Sequence, residues 1–201
     1  MRQFVDDCVA VIEAAGETSA HVFGASFGGM VAQNLALMHP DRVRRLVLIC
    51  TTPGGAAHVP PPVGQLATFM AAAEITDPVA AVRSTYPLHY TDAYAAAHDA
   101  EIVERSLANA QLRSTPQGRA GQLVAVNEHD TLARLPSLRA PTLVIHGEED
   151  GVVPVENGRI IARAIPGARL EIFPNAKHIV FAECADEVNR DIIDFLNENE
   201  R

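Results

Sequence analysis

Residues Gly24-Ala25-Ser26-Phe27-Gly28 carry a serine with a glycine two positions before it and another two positions after it. A short apolar stretch precedes this motif, and an Ala/Leu-rich stretch of helical character follows it. A serine in a tight strand-to-helix turn sits on a strained backbone, where flanking glycines avoid clashing Cβ atoms. The N–H of Phe27, at the positive end of the helix, can point at a developing oxyanion. The motif therefore predicts a nucleophile at Ser26.

The alternative is an ordinary glycine-rich turn, because a G-x-S-x-G pattern also arises by chance. The surrounding sequence favours the nucleophile, since short apolar runs alternate with helical stretches along the chain. Strands are predicted over 21–24, 45–50, 142–146 and 170–173, and helices near 1–15, 30–38, 155–164 and 185–197. Continuous apolar runs are typical of parallel strands that are buried on both faces. The chain is therefore expected to have an α/β fold with a mostly parallel sheet of about four strands.

Residues 53–134 differ in character from the regions on either side. The segment starts with Pro/Gly-rich sequence and continues with Ala-rich windows that lack a strand pattern. Helices are predicted near 63–73, 78–86, 91–110 and 116–128, with breaks at prolines. We call 53–134 the cap segment and expect it to form a helical cap, inserted into a core made of 1–52 and 135–201.

Composition narrows the possible partners. The 201 residues are 48% hydrophobic, and 25 acidic against 16 basic residues give a net charge of -9 with no Lys/Arg run, so nucleic acid is not expected. No apolar run approaches the ~20 residues of a membrane span, and no signal peptide is recognised, so we expect a cytoplasmic protein without a membrane partner. Cys8, Cys50 and Cys184 lie far apart in the sequence and are predicted to be buried thiols, with no metal site.

A serine nucleophile needs a base and an acid, and these are expected in loops after later strands, where ligands gather on a parallel sheet. Asp150 follows the third predicted strand, and His178 follows the fourth. Glu148 and Glu149 are alternatives for the acid, whereas His146, at the very end of a strand, is expected to pack or to make supporting contacts. Surface or structural roles are expected for five more histidines: His39, His58, His89, His98 and His129.

These features resemble the α/β-hydrolase family, and within it small-molecule enzymes similar to 3-oxoadipate enol-lactonases and related esterases. The resemblance is carried by segments 24–30, 39–43, 46–48, 51–55 and 141–147, and by Asp150, Pro154, His178 and Glu183. It implies a triad of Ser26, Asp150 and His178, with His178 as general base and Asp150 orienting it. It also implies a cofactor-independent enzyme that cleaves a small ester or lactone through an acyl-serine intermediate.

Two departures from the family pattern stand out. Lys177 takes the place of the usual glycine before the histidine. Family members also open with several strands and a His-Gly loop that supplies a second oxyanion donor, whereas here the first helix starts at Met1, as expected of an N-terminally shortened sequence. The strand over 21–24 would then have an unpaired edge, through which two copies could associate. The alternative function is a non-catalytic or impaired remnant that serves as an interaction or structural module.

Overall fold

The centre of the fold is a four-stranded sheet, seen in a computed structural model that describes residues 1–110 and 115–198. The strands are β1 (Ala20–Ala25), β2 (Val43–Ile49), β3 (Thr142–Gly147) and β4 (Arg169–Phe173). They lie in the order β1-β2-β3-β4, and every neighbouring pair is parallel. The predicted α/β class is confirmed, with a sheet that is entirely parallel. All four carboxyl ends therefore meet at one edge.

Ten α-helices surround or connect these strands within the described ranges. They are α1 (Arg2–Ala14), α2 (Phe27–Met38), α3 (Val63–Ala73), α4 (Pro78–Ser84), α5 (Tyr86–His89), α6 (Asp92–Ala110), α7 (Pro116–Asn127), α8 (Glu156–Ala164), α9 (Val180–Glu183) and α10 (Ala185–Leu196). The helix predicted over 78–86 is two helices, α4 and α5, which meet at Thr85, two residues before Pro87. None of the helices in the described ranges is long and apolar enough to cross a membrane.

Both faces of the sheet are covered by helices, as the continuous apolar runs predict. Alternate residues of β2 point in opposite directions, because successive side chains of a strand face opposite sides. Leu46 and Leu48 belong to the core under α1, α2 and α8, and Val47 and Ile49 belong to the core under α10. All four are at most 1% exposed, and each contributes about 1.5–3 kcal/mol of burial. This burial makes β2 a rigid support for the residues at its carboxyl end.

The outer edge of β1 pairs with no strand in the described part of the chain. Phe23 on this strand is 52% exposed, which is unusual for a large aromatic residue beside a core. Phe4 of α1 and Phe27 of α2 stack edge to face nearby, with ring centroids 5.1 Å apart. Association of two copies through this edge stays a prediction.

Helices α3 to α7 all lie in the cap segment, between β2 and β3. The two ends of the segment meet where Gly54 forms an antiparallel bridge with Asp130. Beside this bridge His129 is 3% exposed, with its Nδ1 3.1 Å from Asn34 Nδ2 and its Nε2 3.1 Å from the Thr52 carbonyl. Burial lowers the pKa of His129, so the neutral ring accepts one hydrogen bond and donates the other. The boundaries of the cap segment stay a prediction.

Candidate active site

Ser26 occupies a sharp turn between β1 and α2. Its φ of 52° lies in the left-handed region, which costs a non-glycine residue about 1–3 kcal/mol. A Cβ added to Gly24 would lie 2.4 Å from the Gly28 carbonyl oxygen, so position 24 requires glycine. A Cβ added to Gly28 would meet no heavy atom within 4 Å, so the clash expected at Gly28 is not found among the described residues. The turn depends on glycine at only one of the two flanking positions.

Neighbouring backbone holds the Ser26 turn in place. The Ser26 N–H donates to the Ile49 carbonyl at 2.9 Å, and Thr51 Oγ1 donates to the Ser26 carbonyl at 2.8 Å. Gly29 lets Thr51 approach, since an added Cβ would lie 2.6 Å from Thr51 Cβ. Within the described ranges, neither the Ser26 hydroxyl nor the Phe27 N–H is engaged in a hydrogen bond. Both groups are therefore available to a substrate.

Asp150 and His178 form a buried hydrogen-bonded pair. Asp150 Oδ2 lies 2.8 Å from His178 Nδ1, and the two side chains are 0% and 7% exposed. The other carboxylate oxygen, Oδ1, accepts hydrogen bonds from the N–H groups of Val152 and Val153, each at 2.8 Å. Three donors thus fix the carboxylate. With Nδ1 donating to Asp150, Nε2 is the ring nitrogen left to accept a proton.

His146 packs against the Asp150–His178 pair. It is fully buried, and its Nε2 lies 2.8 Å from the Val153 carbonyl and 3.4 Å from Asp150 Oδ2. Gly158 makes room for the ring, since an added Cβ would lie 2.4 Å from its Nδ1. Burial by itself raises the pKa of Asp150, but hydrogen bonds and charge from His146 and His178 outweigh burial and hold it well below its ordinary value. Asp150 therefore stays ionised at neutral pH.

Cys50 shows where the His178 ring lies relative to Ser26. One polar side-chain atom from each of Cys50, Asp150 and His178 lies within 4.8 Å of the other two. Cys50 directly follows β2, where the preceding residue, Ile49, accepts the Ser26 N–H. One nitrogen of the His178 ring therefore lies within 4.8 Å of the Cys50 sulfur, and Cys50 follows the strand that pairs with β1, at whose end Ser26 lies. The structure joins Asp150 to His178 directly, whereas no hydrogen bond links the Ser26 hydroxyl to His178 within the described ranges, as is common without substrate.

The loop that carries His178 is attached to the cap segment. Glu183 accepts hydrogen bonds on both carboxylate oxygens, from the Thr91 N–H and the Lys177 N–H, each at 2.6 Å. The Ile179 N–H donates to the His89 carbonyl at 3.1 Å. The resemblance singled out Glu183 without giving it a role. Its contacts show that it ties the start of α6 to the residue beside His178.

His89, for which a surface or structural role was expected, lies next to the candidate base. Its ring centroid is 6.0 Å from that of His178, and burial lowers its pKa, so the ring is neutral at pH 7. It borders a cavity of about 220 Å³ that Tyr86, Tyr90 and Ile179 also line. A larger cavity of about 440 Å³ lies within the cap segment and contains none of the candidate residues. No sequence signal marked His89, because its position depends on how the cap segment packs.

Comparison with known proteins places this architecture in a family. The sequence model described as alpha/beta hydrolase fold matches residues 1–184. The 2-hydroxymuconate semialdehyde hydrolase of Pseudomonas putida is 31% identical over 98% of this chain and 69% of its own length. The pimeloyl-[acyl-carrier protein] methyl ester esterase of Chromobacterium violaceum is 29% identical over 96% of this chain and 77% of its own.

Solved structures agree with this assignment. The enol-lactonase from Burkholderia xenovorans LB400 superposes with a TM-score of 0.80 and 26% identity, covering 98% of this chain and 73% of the other. The chain belongs to the α/β-hydrolase fold family. The predicted family resemblance and the prediction of an enzyme are both confirmed, since these relatives are named hydrolases or esterases.

Proposed function

We propose that the protein is a serine hydrolase that cleaves a small carboxylic ester or lactone through an acyl-Ser26 intermediate. The observation that carries the proposal is the buried 2.8 Å hydrogen bond between Asp150 and His178, at the sheet edge where Ser26 occupies its strained turn. A carboxylate that orients a histidine, and a histidine that activates a serine, are the parts that acyl transfer needs.

In the proposed reaction, His178 Nε2 takes the proton of Ser26 Oγ as that oxygen attacks the ester carbonyl carbon. The carbonyl oxygen becomes an oxyanion and accepts a hydrogen bond from the Phe27 N–H. The C–O bond to the leaving alcohol then breaks, and His178 gives the alcohol its proton. His178 next deprotonates a water molecule, which attacks the acyl carbon and releases the carboxylic acid and free Ser26. Asp150 stabilises the protonated imidazole in both halves of the cycle.

The relatives support hydrolysis and supply a second candidate substrate. Two of them are named as a methyl ester esterase and an enol-lactonase, which favours an ester or a lactone. The relative at 31% identity is named for 2-hydroxymuconate semialdehyde, and this compound is the second candidate. All three substrate types have a carbonyl carbon that a serine oxygen can attack.

Turnover of a small panel tests the proposal: an aryl acetate, a γ-lactone and 2-hydroxymuconate semialdehyde. Ser26→Ala is expected to lower kcat/KM by at least about 10³-fold, because it removes the attacking oxygen. Ser137→Ala is the matched control, since Ser137 is exposed and outside the site. Full activity of Ser26→Ala would contradict the proposal. A folded wild-type chain that turns over none of the panel would favour the non-catalytic alternative.

A further inference from the structure

Cys50, Asp150 and His178 bring together three side chains of different metal-binding chemistry. A thiol sulfur, a carboxylate oxygen and an imidazole nitrogen all lie within 4.8 Å of one another. Cys50 is 1% exposed, so the group is buried as a whole. The proposed reaction uses the carboxylate and the imidazole, but it gives the thiol no role.

An unusual backbone conformation at Cys50 places its thiol beside Asp150 and His178. Cys50 has a φ of 47°, and its N–H donates to the Ile145 carbonyl at 3.0 Å. Three non-glycine residues in the described ranges have a left-handed φ, and two of them, Ser26 and Cys50, lie side by side at the ends of β1 and β2. Such strained residues concentrate at functional sites. Cys50 therefore combines a buried thiol with a strained backbone, beside the strained backbone of Ser26.

We propose that Cys50, Asp150 and His178 together bind one thiophilic divalent cation, Zn²⁺ or Cd²⁺, which inhibits the hydrolytic site. Zinc binds thiolate sulfur, imidazole nitrogen and carboxylate oxygen, and in sites with three protein ligands a water molecule or substrate completes the coordination. Bonds of about 2.0–2.3 Å put tetrahedral donors roughly 3.4–3.6 Å apart, so movements of about 1 Å assemble the site. The thiol proton leaves to solvent. The imidazole proton, which Nδ1 shares with Asp150 before the cation binds, moves to Nε2, so that Nδ1 can bind the cation.

Inhibition follows from which groups the cation occupies. The cation binds the Asp150 carboxylate, which otherwise orients His178. It also places a positive charge beside the His178 ring, which must itself become positively charged during catalysis. This inhibitory effect rests on the proposed hydrolytic function. Binding of the cation does not, because it needs only the three ligands.

Cadmium titration of the folded full chain tests binding directly, through the ultraviolet charge-transfer absorption of a cadmium–thiolate bond. The wild type is expected to develop this band with one Cd²⁺ per chain, after an incubation long enough for a buried site. Cys50→Ser is expected to lose the band, and the control Cys184→Ser is expected to keep it. Absence of the band in the wild type, or its persistence in Cys50→Ser, would overturn the proposal.

Further variants guard against a folding artefact. Cys50→Ala keeps an apolar side chain in the buried position and must also lose the band while its thermal transition stays cooperative. His178→Ala keeps the thiol and is expected to weaken Cd²⁺ binding at least about tenfold. Unchanged affinity in His178→Ala would refute a three-residue site.

Turnover in the presence of Zn²⁺ supplies the functional readout. Zn²⁺ is expected to inhibit the wild type, with Cys50→Ala at least about tenfold less sensitive. Equal sensitivity of the two proteins would overturn the inhibitory part. If the wild type turns over no substrate, hydrolysis fails as a proposal, and the cadmium titration still decides the metal site.

Discussion

The Ser26 turn and the His178 loop lie at the same edge of the sheet, but different parts of the chain hold them. The Ser26 turn is fixed by backbone hydrogen bonds and close contacts with the end of β2, next to the fully buried Ile49. The His178 loop is fixed by Asp150 on one side and by Glu183 and the cap segment on the other. The proposed nucleophile is therefore positioned by the core, and the proposed base is positioned partly by the cap.

This difference has a functional consequence. A change in the cap segment around His89 to Thr91 reaches the His178 loop through the Ile179 N–H and Glu183. Among the residues that the structure describes, no such hydrogen bonds link His89 to Thr91 with the Ser26 turn. Cap movement is thus expected to change the efficiency of proton transfer while leaving the nucleophile turn folded. Four substitutions break or sharpen this contrast, from the largest expected effect to the smallest.

Asp150→Asn is expected to have the largest effect, because the amide neither stabilises the imidazolium nor fixes the His178 tautomer. By analogy with the aspartate of a serine-protease triad, kcat should fall by roughly 10³- to 10⁴-fold. Steady-state kinetics on the best ester of the panel measure this loss. A loss smaller than about tenfold would show that Asp150 does not orient the base.

The same variant has a pH signature. The pKa of Asp150 is lower in the folded chain than in the unfolded chain, where it is about 3.9. The ionised carboxylate therefore stabilises the fold at any pH above about 3.9. This stabilisation is lost as the pH falls toward the pKa of Asp150 in the folded chain. The difference in unfolding free energy between wild type and Asp150→Asn should be constant above about pH 5 and shrink below about pH 4. Urea unfolding at several pH values measures it; a constant difference down to pH 2.5 would contradict the assigned shift.

Gly24→Ala tests the part of the site that the core holds. Its Cβ would meet the Gly28 carbonyl oxygen at 2.4 Å, a backbone atom and not the end of a flexible side chain, so the free energy of unfolding should fall by about 3 kcal/mol. Gly28→Ala is the matched control, since its Cβ meets nothing within 4 Å, and a change below about 1 kcal/mol is expected. Equal destabilisation of the two variants in urea would refute the steric role of Gly24.

Glu183→Ala tests the part that the cap holds. It removes the acceptor of the Thr91 and Lys177 N–H groups, so His178 should lose its precise position and kcat should fall about tenfold. Hydrogen exchange at those two amides should quicken while the Gly29 amide in the serine turn stays protected.

Two further variants separate positioning from general damage. Glu183→Gln keeps one acceptor oxygen and should recover part of the loss in kcat, whereas exposed Glu187→Ala should behave as wild type. If Glu183→Ala speeds exchange equally in the serine turn and the histidine loop, the two regions are not held separately.

Lys177→Ala should have the smallest effect. Its ammonium donates to the Pro87 carbonyl at 3.0 Å in an exposed position, a contact worth less than about 0.5 kcal/mol. Its backbone N–H, which bonds to Glu183, is unaffected by the substitution. Activity within about twofold of wild type is expected; a large loss would show that the side chain itself positions the loop.

Sequence alone predicted the parts of the molecule that depend on local pattern. Short β-like or apolar segments marked all four strands to within two residues, and the loops after β3 and β4 contain the candidates Asp150 and His178. The steric expectation failed at Gly28, because whether a Cβ clashes depends on the path of neighbouring chain. The position of His89 and the contact between Glu183 and Thr91 also went unpredicted, since each joins segments about 90 residues apart in the sequence.

Labelling with a fluorophosphonate probe tests most directly whether Ser26 is a nucleophile activated by His178. Peptide mass spectrometry of the folded wild-type chain should find the probe on Ser26, with Ser26→Ala unlabelled and His178→Ala labelled at least about 10²-fold more slowly. A folded wild-type chain that carries the probe on another residue, or remains unlabelled, would contradict the triad.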